Sequence, residues 1–466
     1  MLPLFLILAL VLPAAEWTRY RGPNGSGVSP DTGLPSEVGK EKNLVWKTAA
    51  PKGNSSPIVV GNRVFLTGHQ EDERILLCFD ARTGRELWRS SIRRARKEDF
   101  HPINGPVTPT PATDGVNVYV FFPEYGLLSF SFDGKERWRV PLGPFDSIQG
   151  LAASPLYEDG LVVLLIDQPH DSYIAGFDAK TGKSRWKITR PSGFMGGYST
   201  PAVYRPKSGP AQLVTAGAME VTAYQLLTGE RIWWWSGGNM APAALPVIDG
   251  DTLYTLEPVG EGAPPFSRML YVDKNKDGKV QLDEYDRNTP DGAIMYRVMK
   301  SVDEFFGNKD GAVDEAEYNK AFAVTDSGGL HAIRVGSKGE LAKSSIRWRH
   351  TKSLPYVTSP VIYQGIVYVV KDGGIMQALD AENGQVLKQG RLKDAGGEYY
   401  ASPIAAGGKL FFLDKDGKLS IVKAGKDWEI LSTSDLDEQA IATPAIAYNK
   451  LFVRTAGTLY CFGSSP

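Results

Sequence analysis

Cysteine, histidine and net charge are all scarce in this chain of 466 residues, and each shortage removes a class of function. There are two cysteines and five histidines, and the formal net charge is -1. A near-neutral chain carries no global basic field for nucleic acid or an acidic membrane surface. His69, His101, His170, His331 and His350 form no HExxH motif, the two cysteines form no CxxCH, and no nucleophile elbow occurs. Long hydrophobic runs are lacking too. The apolar run Leu2 to Ala15 is 14 residues, too short for a hydrocarbon layer about 30 Å thick at about 1.5 Å per residue. It suits the core of a signal peptide ending at Pro13-Ala14-Ala15, although the usual basic start is missing. Residues 1–15 are therefore expected to be a signal peptide, and the protein periplasmic or secreted. No cysteine follows the run, so neither a lipid attachment site nor a transmembrane anchor is expected.

Glycine (50) and proline (31) are plentiful, as in a chain that makes many turns. The phrase Phe79-Asp80-Ala81-Arg82-Thr83-Gly84-Arg85-Glu86-Leu87-Trp88 returns as Phe177 to Trp186, and more loosely as Phe130 to Trp138 and Tyr224 to Trp233. It reads as a strand, a tight turn and a second strand carrying tryptophan. A second anchor opens each unit: Ser56-Pro57, Thr110-Pro111, Ser154-Pro155, Thr200-Pro201, Leu245-Pro246, Ser359-Pro360, Ser402-Pro403 and Thr443-Pro444. The anchors lie 41 to 54 residues apart, except for one interval of 114. A four-stranded antiparallel blade takes about 40–50 residues, so eight anchors predict an all-β, eight-bladed propeller over residues 43–463.

The last unit stops after three strands. Asn43 to Lys47, ahead of the first anchor, is expected to supply its fourth strand and close the ring, removing an open edge. Trp46, Trp88, Trp138, Trp186, Trp233, Trp348 and Trp428 are expected in outer strands, each bridging to a neighbouring blade. Leu387-Lys388 stands there in blade six, predicting a weaker seam. Cys78 and Cys461 occupy equivalent repeat positions, too far apart for a disulfide, and are expected to be small core residues. Residues 16–42, rich in Gly and Pro, are expected to be a mobile loop or a cap draped over the core. Gly22, Gly25 and Gly27 have no strand before them or helix after them to make a dinucleotide site.

The long interval falls in blade five. Asp273 to Glu284 matches the twelve-residue calcium loop: Asp273, Asn275 and Asp277 as side-chain oxygens, Gly278 at the turn, Lys279 through its carbonyl, Gln281 through water, and Glu284 closing with two oxygens. A second loop follows with Asn308, Asp310, Gly311, Asp314 and Glu317 in register, but Phe306 at position one cannot ligate. Val280 and Val313 should pair as a tiny sheet. Ile294, Met295, Val298, Met299, Val302 and Phe305 have helical spacing and would form a shared core. Residues 264–323 are thus expected to be an EF-hand pair with one good Ca2+ site and one weak or empty site. Asp414-Lys415-Asp416-Gly417 lacks the closing Glu and is expected to be a hairpin turn. Asp167 to Asp171, the most polar loop between strands, reads as a solvated hairpin, with a cluster of site residues as the alternative. Tyr198, Tyr356 and Tyr400, just ahead of anchors, are candidates for stacking on a ligand or peptide at one mouth of the channel.

The repeats resemble the pyrroloquinoline quinone (PQQ)-type β-propeller repeat, whose usual phrase is Leu-Tyr-Ala-Leu-Asp-Ala-x-Thr-Gly-x-x-x-Trp. The opening Arg21-Gly22-Pro23-Asn24-Gly25 is similar to that of a group of exported bacterial propellers. The resemblance implies the fold. It also raises a PQQ-dependent oxidoreductase as the alternative function, with a hydrolase or lyase using the channel as a further rival. Those quinone enzymes use two adjacent cysteines and an Asp beside a cofactor-bound calcium; here the cysteines are separate and the calcium loop sits in an insertion, so PQQ is not expected. The same repeat builds the propeller of the outer-membrane assembly lipoprotein, which binds protein partners. The expectation is a monomeric, exported, calcium-binding scaffold that takes a protein or small ligand at a propeller face, with no catalytic residues.

Overall fold

The computed structural model describes residues 16–147, 149–190, 196–217, 220–237, 242–257, 264–325 and 328–464. The expected signal peptide at 1–15 lies outside the described residues.

Alternating apolar strands separated by Gly- and Asp-bearing turns fold into eight four-stranded antiparallel blades; blades one to seven take these strands in sequence order, and the outer strand of blade four is joined in parallel by a short fifth strand, Gly339–Glu340. Blade one is Ile58–Val60, Arg63–Gln70, Glu73–Asp80 and Glu86–Arg93, and the pattern repeats through blade seven. Blade eight takes three strands from the C-terminal end and its outer strand, Leu44–Ala49, from the N-terminal side, paired antiparallel with Thr458–Gly463. The eight-bladed ring and its closure by the N-terminal strand are therefore as expected. First strands of neighbouring blades pack around the axis, blade eight against blade one among them.

The Ser/Thr-Pro anchors explain themselves at the axis. The backbone N–H of six of the eight donates to the hydroxyl of the next blade's anchor: Ser56 to Thr110 (2.9 Å), Thr110 to Ser154 (3.0 Å), Ser154 to Thr200 (2.9 Å), Leu245 to Ser359 (2.9 Å), Ser359 to Ser402 (3.0 Å) and Ser402 to Thr443 (3.0 Å). Leu245 has no oxygen to accept from Thr200; at that seam Ser199 Oγ donates to Ala244 O instead (2.9 Å). Ser154→Ala, which orphans the buried Thr110 N–H, is expected to lower the unfolding free energy by about 1–3 kcal/mol. Urea denaturation checks it, and an unchanged midpoint would deny the bond a structural role.

At the periphery five of the tryptophans dock on the next blade's turn, whereas the Trp233 indole donates to Gln212 Oε1 of its own blade (2.8 Å). The Trp46 indole donates to Ala81 O (3.0 Å) and packs so closely on Gly84 that a Cβ there would lie 2.5 Å from the ring. Trp88 on Gly134, Trp138 on Gly182, Trp186 on Gly229 and Trp348 on Gly384 repeat this contact. Two seams differ from expectation. Trp428 precedes the outer strand of blade seven, Glu429–Asp435, and Ser432 holds the tryptophan's register there. Trp428 instead packs backwards on Lys388 and Gly390, so a tryptophan from blade seven fills the blade-six seam. The N-terminal segment then covers the seam that Trp428 leaves: Ser432 and Ser434 donate to Ser36 O and Val38 O, and Leu34 and Val38 are buried in the core shared by blades seven, eight and one. Cys78 and Cys461 are unpaired, buried and in separate core clusters; burial pushes both thiols up to about 12.

Residues 16–33 plug one end of the channel, with Trp17, Arg19, Arg21, Ser29 and Asp31 buried. Trp17 pairs with Val59 of blade one, Thr18 O accepts from Thr113 N of blade two, and Asn24 clamps both the N–H and C=O of Val203 in blade four. Val28 pairs with Ala405 of blade seven, and Asn449 of blade eight accepts from the amides of Thr32 and Gly33. Arg21, fully buried, donates to the carbonyls of the anchor prolines Pro360 (2.8 Å) and Pro403 (3.3 Å). Gly22 and Gly25 turn at positive φ, and a Cβ on Gly22 would fall 2.4 Å from the Trp17 ring. The glycines serve close packing inside the ring.

The second and third strands of blade five, Thr252–Glu257 and Gly329–Arg334, pair in register. Between them an insert carries a 3-10 turn (Phe266–Tyr271), a loop, helix α1 (Pro290–Phe306), a second loop and helix α2 (Glu315–Thr325). Thr289 caps α1 by accepting from Gly292 N, with Pro290 at its first position. Val280 pairs with Val313 between the loops. Val298, Met299 and Val302 form the core with Phe266, Tyr285, Tyr318 and Ala321, and Met295 packs at its edge. Ile294, expected in that core, is 42% exposed; it lies on the outer side of α1. The side chain of Phe305 is outside the described residues.

Candidate functional site

Because antiparallel strands alternate in direction, the turn between second and third strands lies on the same face as the links from one blade to the next. The insert therefore leaves blade five on the face where those links surround the channel. It reaches across: Arg297 of α1 lies 3.5 Å from Asp146, in the link between blades two and three, and His170 is 3.9 Å from the same carboxylate.

Beneath that mouth is a cavity of about 330 Å³, small among ligand sites, which run about 300–1,000 Å³. The plug closes its inner end with Tyr20, whose hydroxyl is 3.5 Å from Ser402 Oγ. Tyr198, Tyr356 and Tyr400 all line it, joined by His101, Asn104 and Gln149 from the links. The three tyrosines singled out in the sequence thus come together. Tyr198 is half-buried and its hydroxyl is pushed up to about 12, by burial and then by Tyr356, so it is a neutral donor and acceptor at physiological pH. Tyr356 is 64% exposed at the rim. Among the described lining residues, His101 is the one side chain that could carry charge; the rest offer hydroxyl, carboxamide, phenol and aliphatic groups. Tyr20, His101 and Gln149 were not singled out in the sequence, and only their proximity to anchors or the plug could have signalled them.

Asp167 to Asp171 is not a solvated hairpin. Asp167 is buried and forms a two-point ion pair with buried Arg190, Nε to Oδ1 at 2.8 Å and Nη2 to Oδ2 at 3.2 Å. Arg190 Nη1 also donates to Thr215 Oγ1 and Tyr224 OH, each at 2.8 Å. Burial works against the Arg190 cation, and Asp167 outweighs it, so the guanidinium is held above its ordinary value. A buried Arg beyond the next strand attracted no notice as a partner in the sequence. Asp414 to Gly417 is the expected hairpin turn: Asp414 is buried, which raises its carboxyl, and it accepts from Asp416 N and Lys418 N.

In the first insert loop, Asp273 accepts from Lys276 N (2.6 Å) and Gly278 N (3.0 Å), Asn275 from Asp277 N (2.9 Å) and Asp277 from Lys279 N (2.9 Å). Buried Glu284 ties the loop's two ends, accepting from Lys274 N (2.6 Å) and Gln281 N (2.9 Å). Among the described residues, no three His, Cys, Asp or Glu side chains converge as a metal cluster. The loop's oxygens are turned inward on its own amides, and each retains lone pairs for a further partner. In the second loop Asn308 accepts from Asp310 N (2.9 Å), Asp310 from Ala312 N (2.9 Å), and Glu317 from Asn308 N (2.9 Å) and Asp314 N (3.1 Å). Lys279 Nζ, 3.6 Å from Asp310, links the two loops.

Repeated blades, Ser/Thr-Pro anchors and tryptophan seams define a propeller of the PQQ-repeat class, here with a plugged channel. Residues 71–260 and 288–465 match the family described as Outer membrane protein assembly factor BamB, and the chain belongs to that family. The Outer membrane protein assembly factor BamB of Burkholderia pseudomallei (strain K96243) is 24% identical over 406 residues, covering 80% of this chain and 86% of that protein. The crystal structure of BamB from Moraxella catarrhalis superposes with a TM-score of 0.56 at 11% identity, over 90% of this chain and 99% of the other. A europium-containing methanol dehydrogenase superposes with a TM-score of 0.61 at 10% identity, over 97% and 98%. These structural likenesses show the fold alone. The periplasmic location expected from the sequence agrees with the family, and no helix among the described residues is long and apolar enough to cross a membrane.

Proposed function

We propose that this protein is an exported scaffold that binds a protein partner at the mouth of its channel, and that its insert is an EF-hand pair holding calcium in the loop Asp273–Glu284. The observation that carries the binding reading is the tyrosine-lined mouth, where exposed Tyr356 stands over half-buried Tyr198 and Tyr400. Aromatic side chains of this kind anchor protein interfaces because they desolvate a large area at little entropic cost. The relatives are named as outer membrane protein assembly factors, and the partner class that follows is a protein of that assembly.

The all-oxygen donor set suits a hard cation: side chains of Asp273, Asn275, Asp277 and Glu284, with the carbonyl of Lys279. The quinone fits less well. PQQ carries three carboxylates, whereas the described cavity lining has no Arg or Lys to receive them, and buried anions need such partners. Behind the wall, Arg454 directs its guanidinium to Pro51 and Ser55.

A photo-crosslinking residue at Tyr356 is expected to trap one defined partner in the native host, and one at Leu87 on the outer strand of blade one to trap none. Equal yields at the two positions, or none at Tyr356, would overturn the reading. Partner capture together with tight stoichiometric PQQ uptake and alcohol oxidation would favour the enzyme instead.

A further inference from the structure

The second insert loop lacks a ligand at its first position, where Phe306 stands, and Phe306 packs against the insert's hydrophobic cluster. Yet several of its hydrogen bonds repeat those of the first loop. Glu317 ties both ends as Glu284 does, Asn308 matches Asn275, and Asp310 matches Asp277. The Asn–Asp side-chain contact recurs at 3.0 Å for Asn308–Asp310 and 3.1 Å for Asn275–Asp277. The bond from the turn glycine to the position-one carboxylate also has a counterpart. In the first loop Gly278 N donates to Asp273 Oδ2 at 3.0 Å; in the second Gly311 N donates to Asp303 Oδ2 at 3.1 Å.

Asp303 sits in the last turn of α1, three residues before Phe306, and positions i and i+3 of a helix share a face. Its carboxylate thus arrives from one turn further back at the place where position one would hold an oxygen. Asp303 is 3% exposed, and its Oδ1 is buried with no hydrogen-bond partner. A buried carboxylate oxygen without a donor is costly, and a cation in the loop supplies what is missing.

We infer that Asp303 replaces the absent position-one ligand, so that the second loop is a complete calcium site made by Asp303, Asn308, Asp310, Glu317 and the Ala312 carbonyl. With Glu317 bidentate the shell has at least six oxygens, within the six to eight that calcium takes. Asp314, at position nine, accepts from Glu317 N (2.9 Å) and orients that carboxylate. This inference rests on the EF-hand reading of the insert, but not on binding at the first loop.

Isothermal titration of the chelator-stripped full chain with calcium chloride separates the two. Wild type is expected to bind two equivalents, Asp303→Asn one, and Glu284→Gln one. Glu317→Gln, a conservative change at the second loop, should also leave one, and far-UV circular dichroism confirms that each variant is folded. One equivalent in wild type, retained by Asp303→Asn and lost by Glu284→Gln, would overturn the inference and leave the first site standing. One equivalent lost by Asp303→Asn and retained by Glu284→Gln would do the reverse. No binding in wild type would refute both.

Discussion

Trp46→Ala is expected to lower the unfolding free energy by about 3–5 kcal/mol, the usual cost of truncating a buried aromatic. Trp46 is buried at the seam between blades eight and one, meets Phe452 with the rings tilted by 56°, and donates to Ala81 O on the neighbouring blade. Losing it removes the indole from Gly84 and strips a buried carbonyl of its donor. The position matters as well as the area. Leu44–Ala49 runs on into the first strand of blade one but is held in blade eight by pairing with Thr458–Gly463 from the other end of the sequence, so the Trp46 contact also fixes the strand that closes the ring. Hydrogen exchange should therefore show the outer strands of blades eight and one opening first in the variant. Uniform acceleration across all blades would argue that closure is not the weak point.

Asp167→Ala should be comparably severe, at about 3–5 kcal/mol, because it leaves the Arg190 guanidinium buried without its counter-charge. Replacing both partners, Asp167→Leu with Arg190→Met, should recover most of the loss, since the desolvation penalty leaves with the charges. Urea midpoints for the two single variants and the double variant test this. Additive losses would mean that the pair is not coupled.

How much could be seen beforehand depended on whether a residue acts through a repeated, local pattern. The blades were legible because each turn and tryptophan recurs at a fixed spacing, and the closing strand because two loose ends matched. Leu245, the one anchor without a hydroxyl, was visible as an exception, though its consequence for the ring of hydrogen bonds was not. Trp428 misled because it is a tryptophan near the right place: a few residues' difference in register turns it towards the preceding blade. For residues 16–42 the sequence offered a mobile loop or a cap over the core but not a seat inside the ring, since the partners, among them Val59, Val203, Pro360 and Ala405, are scattered over the whole chain. Asp167 looked solvated because Arg190, its partner, lies beyond an intervening strand. In the insert, a rule of fixed positions within twelve residues could not admit Asp303, which lies before the first of them. The tyrosines of the mouth were found by their distance from the anchors, while the plug residue Tyr20 completes the site from below.

The plug and the closing strand together dictate an order of assembly. Contacts such as Arg454 with Ser55 join residues 399 positions apart, and Arg21 meets Pro403 across 382. Loops that long must be closed before such contacts return any free energy, so they form late and slowly. Leu44–Ala49 and the plug must wait for blades seven and eight. Until the final blade is made, Leu44–Ala49 has no strand to pair with and the channel floor has only part of its surroundings. Ring closure therefore requires the eighth blade, and a ring without it leaves both the strand Leu44–Ala49 and the plug short of their partners.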